Sequence, residues 1–498
     1  MHRILTTRRS WPLHGLALSR AIEQRATAEV PPHTLMRRAG LGVARLALAV
    51  APHAARVWVA AGPGNNGGDG LDAAVRLHTA GKEVTVTFIG DAASLPDDAR
   101  DALQRAQAAG LTIQAAGAPE LQAGDVAIDA LLGLGAARAP DGAMADAIVQ
   151  LNRLPCPVLA VDLPSGLNGL TGQPHGSACV RATHTLSLLT LKPGLFTGAG
   201  RDCAGDIWLD TLGIDVDADA PDARLIGPDV QGASPRLHAQ HKGSFGDVAI
   251  LGGAAGMTGA ALLAARAAHA SGAGRVFVGL LDGGSLTHDI GTPELMFRTR
   301  WWDAAASVLQ STTIVCGCGG GDAVREILPR LLKSASRLVL DADALNAVAA
   351  DSLLQHLLRA RSDGERLTVL TPHPLEAARL LDRETGEVQA DRLQAAQTLA
   401  DRLEAIVVLK GSGSVVAGPG LLPFVNPTGD ATLATAGTGD VLAGWIGGLW
   451  AQHAAQRRLE DLQRLTATAV YAHGAAAAPH EKRVLRASEL IDRMQAAG

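Results

Sequence analysis

Asn426 to Gly444 reads NPTGDATLATAGTGDVLAG. Two Gly- and Thr-rich turns run into Gly437-Thr438-Gly439-Asp440, and then into an apolar series at helical spacing: Val441, Leu442, Trp445, Ile446 and Leu449. Glycines directly before a helix leave its first N–H groups uncovered, and with the positive end of the helix dipole those groups make an anion site. Asp440 lies at the same helix start. An aspartate there is often no more than a cap. Beside a phosphate-sized anion hole, however, a carboxylate can serve as base toward an attacking hydroxyl while the amides receive the developing charge. The loop holds more glycine than capping requires, which favours the phosphoryl-transfer reading.

Outward from this stretch, the 498 residues are too many for one ordinary domain, and their 47% hydrophobic content excludes wholesale disorder. A net charge of −5 supplies no basic field for nucleic acid. Five cysteines without zinc-type pairing fit a reducing cytosol, so a cytoplasmic location is expected, and Cys316-Gly-Cys318 reads as buried thiols. The basic N-terminus lacks a long apolar segment, and no run approaches the roughly 20 apolar residues of a membrane span. Among only six lysines, Lys192, Lys242 and Lys410 fall in the glycine-bearing turns LKPG, HKGSFG and LKGSGS, as though a compact ammonium were wanted there.

In the first half, residues 14–50 read as helices. A strand is expected at Val57–Ala61, then the loop Gly62-Pro-Gly-Asn-Asn-Gly-Gly-Asp-Gly70, a helix to about Ala80 and a strand at Val84–Ile89. That is a βαβ unit with its glycine loop at the carboxyl end of the first strand, where doubly wound sheets bind ligands. Further strands are expected at Val126–Ala130, Val158–Val161, Thr185–Thr190 and Ile207–Leu209. Asp129, Asp162, Ser165 and Lys192 fall at strand ends or in the turns after them. Any one of these could simply end a strand. Together they look like an oxygen-lined site for a sugar-phosphate ligand and a monovalent cation.

GPGNNGGDG (62–70), IDALLGLGAARAP (128–140) and VDLPSGLNG (161–169), in this order, resemble the NAD(P)H-hydrate epimerase domain. The resemblance covers roughly residues 1–217. It implies that Asn65, Asn66, Gly67, Gly68, Asp69, Gly133, Leu134, Gly135, Ala136, Ala137, Arg138, Ala139 and Asp162 bind the hydrated dinucleotide. It also implies that Asn66, Asp129 and Ser165 hold K+, with Asp129 catalytic. One departure is Arg37, where the family usually has an acidic residue.

The acidic, proline-bearing stretch 215–234 is where the domain boundary is expected. Beyond it, strands at Val248–Leu251, Val276–Val278, Ile314–Cys316, Leu338–Leu340, Thr368–Leu370 and Ile406–Leu409 alternate with helices, one of them from about Met257 to Ala270. This is again an α/β arrangement. Asp341-Ala-Asp343-Ala-Leu-Asn346 and Thr371-Pro-His-Pro-Leu-Glu376 close two strands. His373, between two prolines, is expected to be held toward the crevice. Lys410-Gly-Ser-Gly-Ser414 could cradle phosphates through backbone N–H groups, without being a Walker A motif.

Together with HKGSFG (241–246) and the opening stretch, these segments resemble the ADP/ATP-dependent NAD(P)H-hydrate dehydratase domain over roughly 226–498. The resemblance implies nucleotide binding by Lys410, Gly411, Ser412, Gly413, Ser414 and Gly439. It implies substrate contacts from Ala260, Gly319, His373 and Asp440, Asp440 as catalytic base, and Mg2+ with ADP or ATP. Cys318 stands where the family has proline, and Leu433 where it has methionine. The fold class is therefore α/β: a Rossmann-like three-layer domain followed by a ribokinase-like domain. The expected function is epimerisation of R- and S-NAD(P)HX and nucleotide-dependent dehydration of the S form, by an enzyme expected to form a homo-oligomer with neither nucleic-acid nor membrane partners. The competing reading is a small-molecule kinase fused to a non-catalytic Rossmann-like module.

Overall fold

Val57, Val59 and Ala61 alternate along one strand with Trp58 and Ala60. In the computed structural model the first three enter one apolar cluster and the other two enter another. A strand buried on both faces needs helices on both faces, and this one has them. The structure describes all residues except 5–8, 217–218, 229–235, 363–365, 456–457, 478–483 and 498. The chain divides into two units, Met1–Thr7 with Trp11–Arg224, and Arg8–Ser10 with Leu225–Gly498. Much of the boundary stretch 215–234 lies outside the described residues.

The first unit holds strands β1 (His2–Arg3), β2 (Arg56–Ala61), β3 (Glu83–Phe88), β4 (Thr112–Gln114), β5 (Val126–Ala130), β6 (Val158–Val161), β7 (His184–Leu188) and β8 (Asp206–Asp210). Their order is β1-β8-β7-β6-β5-β2-β3-β4, parallel except for the edge strand β1. Helices Thr34–Val50, Asn65–Thr79 and Asp97–Ala108 supply the cluster on one face, and Gly142–Leu151 serves the other.

The segment after β2 corrects the sequence reading. Residues 65–70 are not a loop, because the helix begins at Asn65. Its glycines allow close approach. A Cβ on Gly67 would stand 2.0 Å from the Gly62 carbonyl oxygen, and one on Gly70 would stand 2.5 Å from the Ala130 Cβ. β7 also stops earlier than expected, at Leu188, because Leu189 takes a left-handed φ of 60°.

The second unit holds β9 (Asp247–Gly252), β10 (Arg275–Leu280), β11 (Met296–Phe297), β12 (Thr313–Cys316), β13 (Arg337–Leu340), β14 (Leu367–Leu370), β15 (Ile406–Leu409), β16 (Val415–Ala417) and β17 (Phe424–Val425). They run in the order β11-β10-β9-β12-β13-β14-β15-β16-β17, with only the pairs β15–β16 and β16–β17 antiparallel. Strands of two or three residues such as β11, β16 and β17 are too short to show a period, and the sequence reading missed them. One face is covered by helices Thr258–Ala270, Thr438–Gln452 and Leu459–Ala475. The first two approach closely: a Cβ on Gly444 would stand 2.0 Å from the Ala264 carbonyl oxygen, and one on Gly448 2.5 Å from that of Ala268. The glycines of the helix that follows the anion loop thus let it pack directly against the backbone of Thr258–Ala270.

Candidate active sites

In the second unit, neighbouring parallel strands bring their carboxyl ends together, so β12, β13, β14 and β15 deliver Cys318, Asp341, Thr371 and Lys410 to one place. Lys410 Nζ donates to Asp341 Oδ1 at 2.8 Å, and Thr371 Oγ1 donates to the same oxygen at 2.8 Å. Asp341 is buried, and the other carboxylate oxygen faces the Cys318 thiol at 4.0 Å. Asp440 completes the group: ligand atoms of Cys318, Asp341 and Asp440 lie within 4.8 Å of one another. Ala342, between Asp341 and Asp343, has φ 48°, a strained backbone of the kind found at functional sites.

Asp440 is not the cap of its helix. Gly437 occupies that position with φ 92°, leaving Asp440 in the first turn. A Cβ on Gly437 would stand 2.5 Å from Leu263 Cδ1, so both conformation and space demand glycine. Thr438 Oγ1 donates to the carbonyls of Leu433 and Thr435, and the half-buried His473 bonds the Thr438 carbonyl through Nε2 at 2.9 Å. Gly439 lies against the lysine: its Cβ position is 3.1 Å from Lys410 Nζ. Burial, and then the neighbouring Asp341 charge, raise the Asp440 carboxyl to about 7. A half-buried carboxyl poised near neutrality beside uncovered amides and an ammonium is equipped to take a proton from a hydroxyl.

The other expected residues of this unit divide. Ala260 and Gly319 meet, since a Cβ on Gly319 would touch the Ala260 Cβ at 3.0 Å. His373 caps the helix Pro374–Leu381, its Nδ1 accepting from Leu375 and Glu376 N–H. The Lys410–Ser414 turn is closed on itself, Gly411 N–H donating to Ser414 Oγ and Ser414 Oγ to the Gly411 carbonyl. Gly411, at φ 135°, lies 3.0 Å (as a Cβ) from the buried Arg392 guanidinium, which ties down the Leu409 and Lys410 carbonyls. Ser412 and Gly413 complete the turn before β16.

In the first unit a cavity of about 590 Å³ opens at the carboxyl ends of β2, β5, β6 and β7. It is lined by Asn65, Asn66, Asp69, Gly133, Leu134, Gly135, Ala136 and Asp162, all singled out in the sequence, and also by Glu23, Met36 and Lys192. Gly67 and Gly68 lie behind the lining in helix Asn65–Thr79, with Gly68 against the Met36 sulfur. Ala137, Arg138 and Ala139 are not among the lining residues. Asp162 (φ 64°) pairs with the buried Lys192, which also donates to the Leu188 carbonyl at 2.8 Å. Burial, with Asp162 next, pushes the Asp69 carboxyl well up, and burial raises that of Glu23.

Asp129 and Ser165 lie beneath this floor, both fully buried. Ser165 donates to Asp129 through N–H at 2.7 Å and through Oγ at 2.5 Å, and Leu132 N–H donates to Ser165 Oγ at 2.9 Å. Burial lifts the Asp129 carboxyl to about 6, against the pull of those hydrogen bonds.

The sequence profile described as NAD(P)H-hydrate dehydratase matches residues 248–495, and that described as YjeF-related protein N-terminus matches 32–194. The bifunctional NAD(P)H-hydrate repair enzyme of Escherichia coli K12 is 35% identical over 453 residues, covering 89% of this chain and 84% of its own. This chain belongs to that family. The Coxiella burnetii member is 36% identical over 435 residues, covering 85% of this chain and 86% of its own. A crystal structure of the ADP/ATP-dependent NAD(P)H-hydrate dehydratase from Bacillus subtilis, co-crystallised with ATP and Mg2+, is 30% identical. It covers 52% of this chain and 91% of its own, with a TM-score of 0.41.

The donor sets of this repair-enzyme chain differ in what they could hold. Cys318, Asp341 and Asp440 do not fit a resident Mg2+. Burial holds the thiol firmly protonated, and an ammonium already sits on Asp341, whereas Mg2+ prefers oxygen ligands. Asn66, Asp129 and Ser165 fit a monovalent cation better. Asp129 is a buried carboxylate with no ion-pair partner among the described residues, and the Asn66 amide and the Ser165 hydroxyl each have an oxygen to offer. Two residues of the second site were not assigned from the sequence. Asp341 looked like one more strand-end carboxylate, and Cys318 like core.

Proposed function

We propose that this chain repairs hydrated NADH and NADPH at two separate sites. Residues 1–217 interconvert the R and S epimers at the hydroxyl-bearing ring carbon, and residues 226–498 use ADP or ATP to dehydrate the S form. The observation that carries the reading is Asp440 in the first turn of a glycine-capped helix, facing Asp341 and Lys410.

In dehydration, Asp440 takes the proton of the substrate hydroxyl, and that oxygen attacks the terminal phosphorus of the nucleotide. The amides of Gly437 to Gly439 receive the charge on the transferring phosphoryl group. The bond from ring carbon to phosphorylated oxygen then breaks with phosphate taking the electron pair, and the adjacent ring carbon gives up a proton to water so that the ring double bond forms. The products are inorganic phosphate and the reduced nicotinamide, with AMP from ADP or ADP from ATP. Lys410, Gly411, Ser412, Gly413, Ser414 and Gly439 hold the nucleotide, and Ala260, Gly319 and His373 the substrate. Mg2+ would be held with the nucleotide rather than by Cys318, Asp341 and Asp440, and would supply charge compensation for the phosphates.

In the first unit Asn65 to Asp69, the Gly133 to Ala139 turn and Asp162 bind the dinucleotide. Asn66, Asp129 and Ser165 hold K+, which compensates the buried carboxylate. The second reading, a small-molecule kinase, shares the anion loop and Asp440. A product assay separates them: incubation with S-hydrate and ADP yields reduced nicotinamide and inorganic phosphate from a dehydratase. A phosphorylated product that persists would mark a kinase.

A further inference from the structure

The cavity of the first unit carries four lining carboxylates, Glu23, Asp69, Asp98 and Asp162, against two lining cations, Arg20 and Lys192. A dinucleotide brings further negative charge on its pyrophosphate, and a 2′-phosphate adds more. Such a ligand needs a cation that is not already taken. Lys192 is taken: its ammonium joins Asp162 and the Leu188 carbonyl. Asp98 is bonded by His33 Nδ1 at 2.5 Å, a pair that adds no uncommitted cation to the lining.

Arg20 is differently placed. It stands on the helix Leu16–Glu29, whose Ser19, Arg20, Glu23 and Thr27 recur at helical spacing along the cavity wall. Its side chain is exposed to the opening and makes no ion pair or hydrogen bond among the described residues. Glu23, one turn along, feels its charge without pairing with it. The guanidinium leans over the turn that follows β5: Arg20 Nη2 lies 3.7 Å from where a Cβ on Gly135 would stand. That turn is closed by Ala136 N–H donating to the Gly133 carbonyl at 3.1 Å. An uncommitted guanidinium thus faces a glycine turn across the mouth of an otherwise acidic cavity.

We propose that Arg20 and the Gly133–Ala136 turn form the phosphate subsite of the first unit, with Arg20 the residue that determines affinity for the phosphorylated half of the dinucleotide. The proposal rests on the epimerase reading above. Two sources could supply the phosphate, the pyrophosphate common to both hydrates and the 2′-phosphate of NADPHX alone.

The test follows conversion of pure R-hydrate to S-hydrate by chromatography, on the full chain and without nucleotide, so that dehydration is silent. It compares wild type, Arg20→Ala and Arg20→Lys. Loss of a charge-assisted contact to phosphate should raise KM about 10- to 100-fold with kcat within about threefold, and lysine should recover part of the loss. An equal rise for NADHX and NADPHX assigns the pyrophosphate, and a rise confined to NADPHX assigns the 2′-phosphate. Unchanged KM for both substrates overturns the proposal. So does a fall in kcat alone with a shifted pH profile, since Arg20 would then act only on the charge of Glu23. Wild type inactive on either hydrate would instead overturn the epimerase reading itself.

Discussion

Lys410 and Asp341, 69 residues apart in sequence, are joined by a 2.8 Å bond from Nζ to Oδ1 across the ends of β15 and β13. Thr371, from the strand between them, donates to the same oxygen. Asp341 is 2% exposed and the lysine 19%, so the pair is a buried one. Removing one partner of such a pair leaves an uncompensated charge, at about 3–5 kcal/mol. Lys410→Met should therefore lower stability by that order and weaken nucleotide binding. Lys410→Met with Asp341→Asn should recover much of the stability but not the nucleotide affinity. Calorimetry and melting curves on the two variants check this. Nucleotide affinity unchanged in both would remove Lys410 from the nucleotide site.

The pH dependence of dehydration follows from Asp440. A general base works deprotonated, so kcat/KM should rise about tenfold per unit below pH 7 and level off above it, the carboxyl being raised to about 7. The stability effect has the opposite sense. Because the folded carboxyl holds its proton over a range where the unfolded one has released it, folding stability falls as pH rises from about 4 to about 7. Asp440→Asn removes that penalty. It should melt higher than wild type at pH 8 while losing roughly 10²–10⁴-fold in dehydration rate. A variant that is slow and also less stable at pH 8 would count against a raised, functional Asp440.

Cys318 tunes the same carboxylates. Asp341 and Asp343 face Asp440 as like charges, and the thiol and Lys410 oppose them. Cys318→Ala removes a hydrogen-bond donor and should move the midpoint of the dehydration profile to higher pH by about one unit. Cys318→Ser keeps a donor and should leave it nearly in place. Superimposable profiles for wild type and Cys318→Ala would show that the thiol only fills space.

The glycines of the segment 62–70 test the close-packing account. Gly70→Ala places a methyl 2.5 Å from the Ala130 Cβ, and Ala130 lies one residue from Asp129. It should destabilise the first unit by about 1–3 kcal/mol through overpacking and slow epimerisation. Dehydration should remain near wild type. Equal melting curves would mean that the helix Asn65–Thr79 can move off β2 without cost.

Much of this was legible because chemistry and punctuation coincide in the sequence. Asp440 follows a glycine run, Lys410 is a rare lysine in a glycine turn, and the central strands carry uninterrupted apolar runs. What stayed hidden has physical reasons. Glycine serves both turns and close approach, and only the distances from Gly67 to Gly62 and from Gly70 to Ala130 tell which use applies. Cys318 read as a core thiol because its nearest partners come from elsewhere in the chain, Asp341 from another strand end and Asp440 from a helix start. Arg20 and Glu23 look like the solvated face of a helix until the fold turns that face to a cavity. His373 also caps the helix Pro374–Leu381 through Nδ1, a role its flanking prolines do not reveal.

The central claim is that one chain carries two separate chemistries, and an epimer mixture tests it most directly. Asp129→Ala removes the buried carboxylate beneath the first cavity and leaves Asp440 untouched. With both NADHX epimers and ADP, recovery of reduced-nicotinamide absorbance should run in one phase to completion in wild type. In the variant it should stop after the S fraction and continue only at the spontaneous epimerisation rate. A melting curve verifies that the variant is folded. If folded Asp129→Ala consumes both epimers in one uninterrupted phase, the first unit is not the epimerase and the account fails.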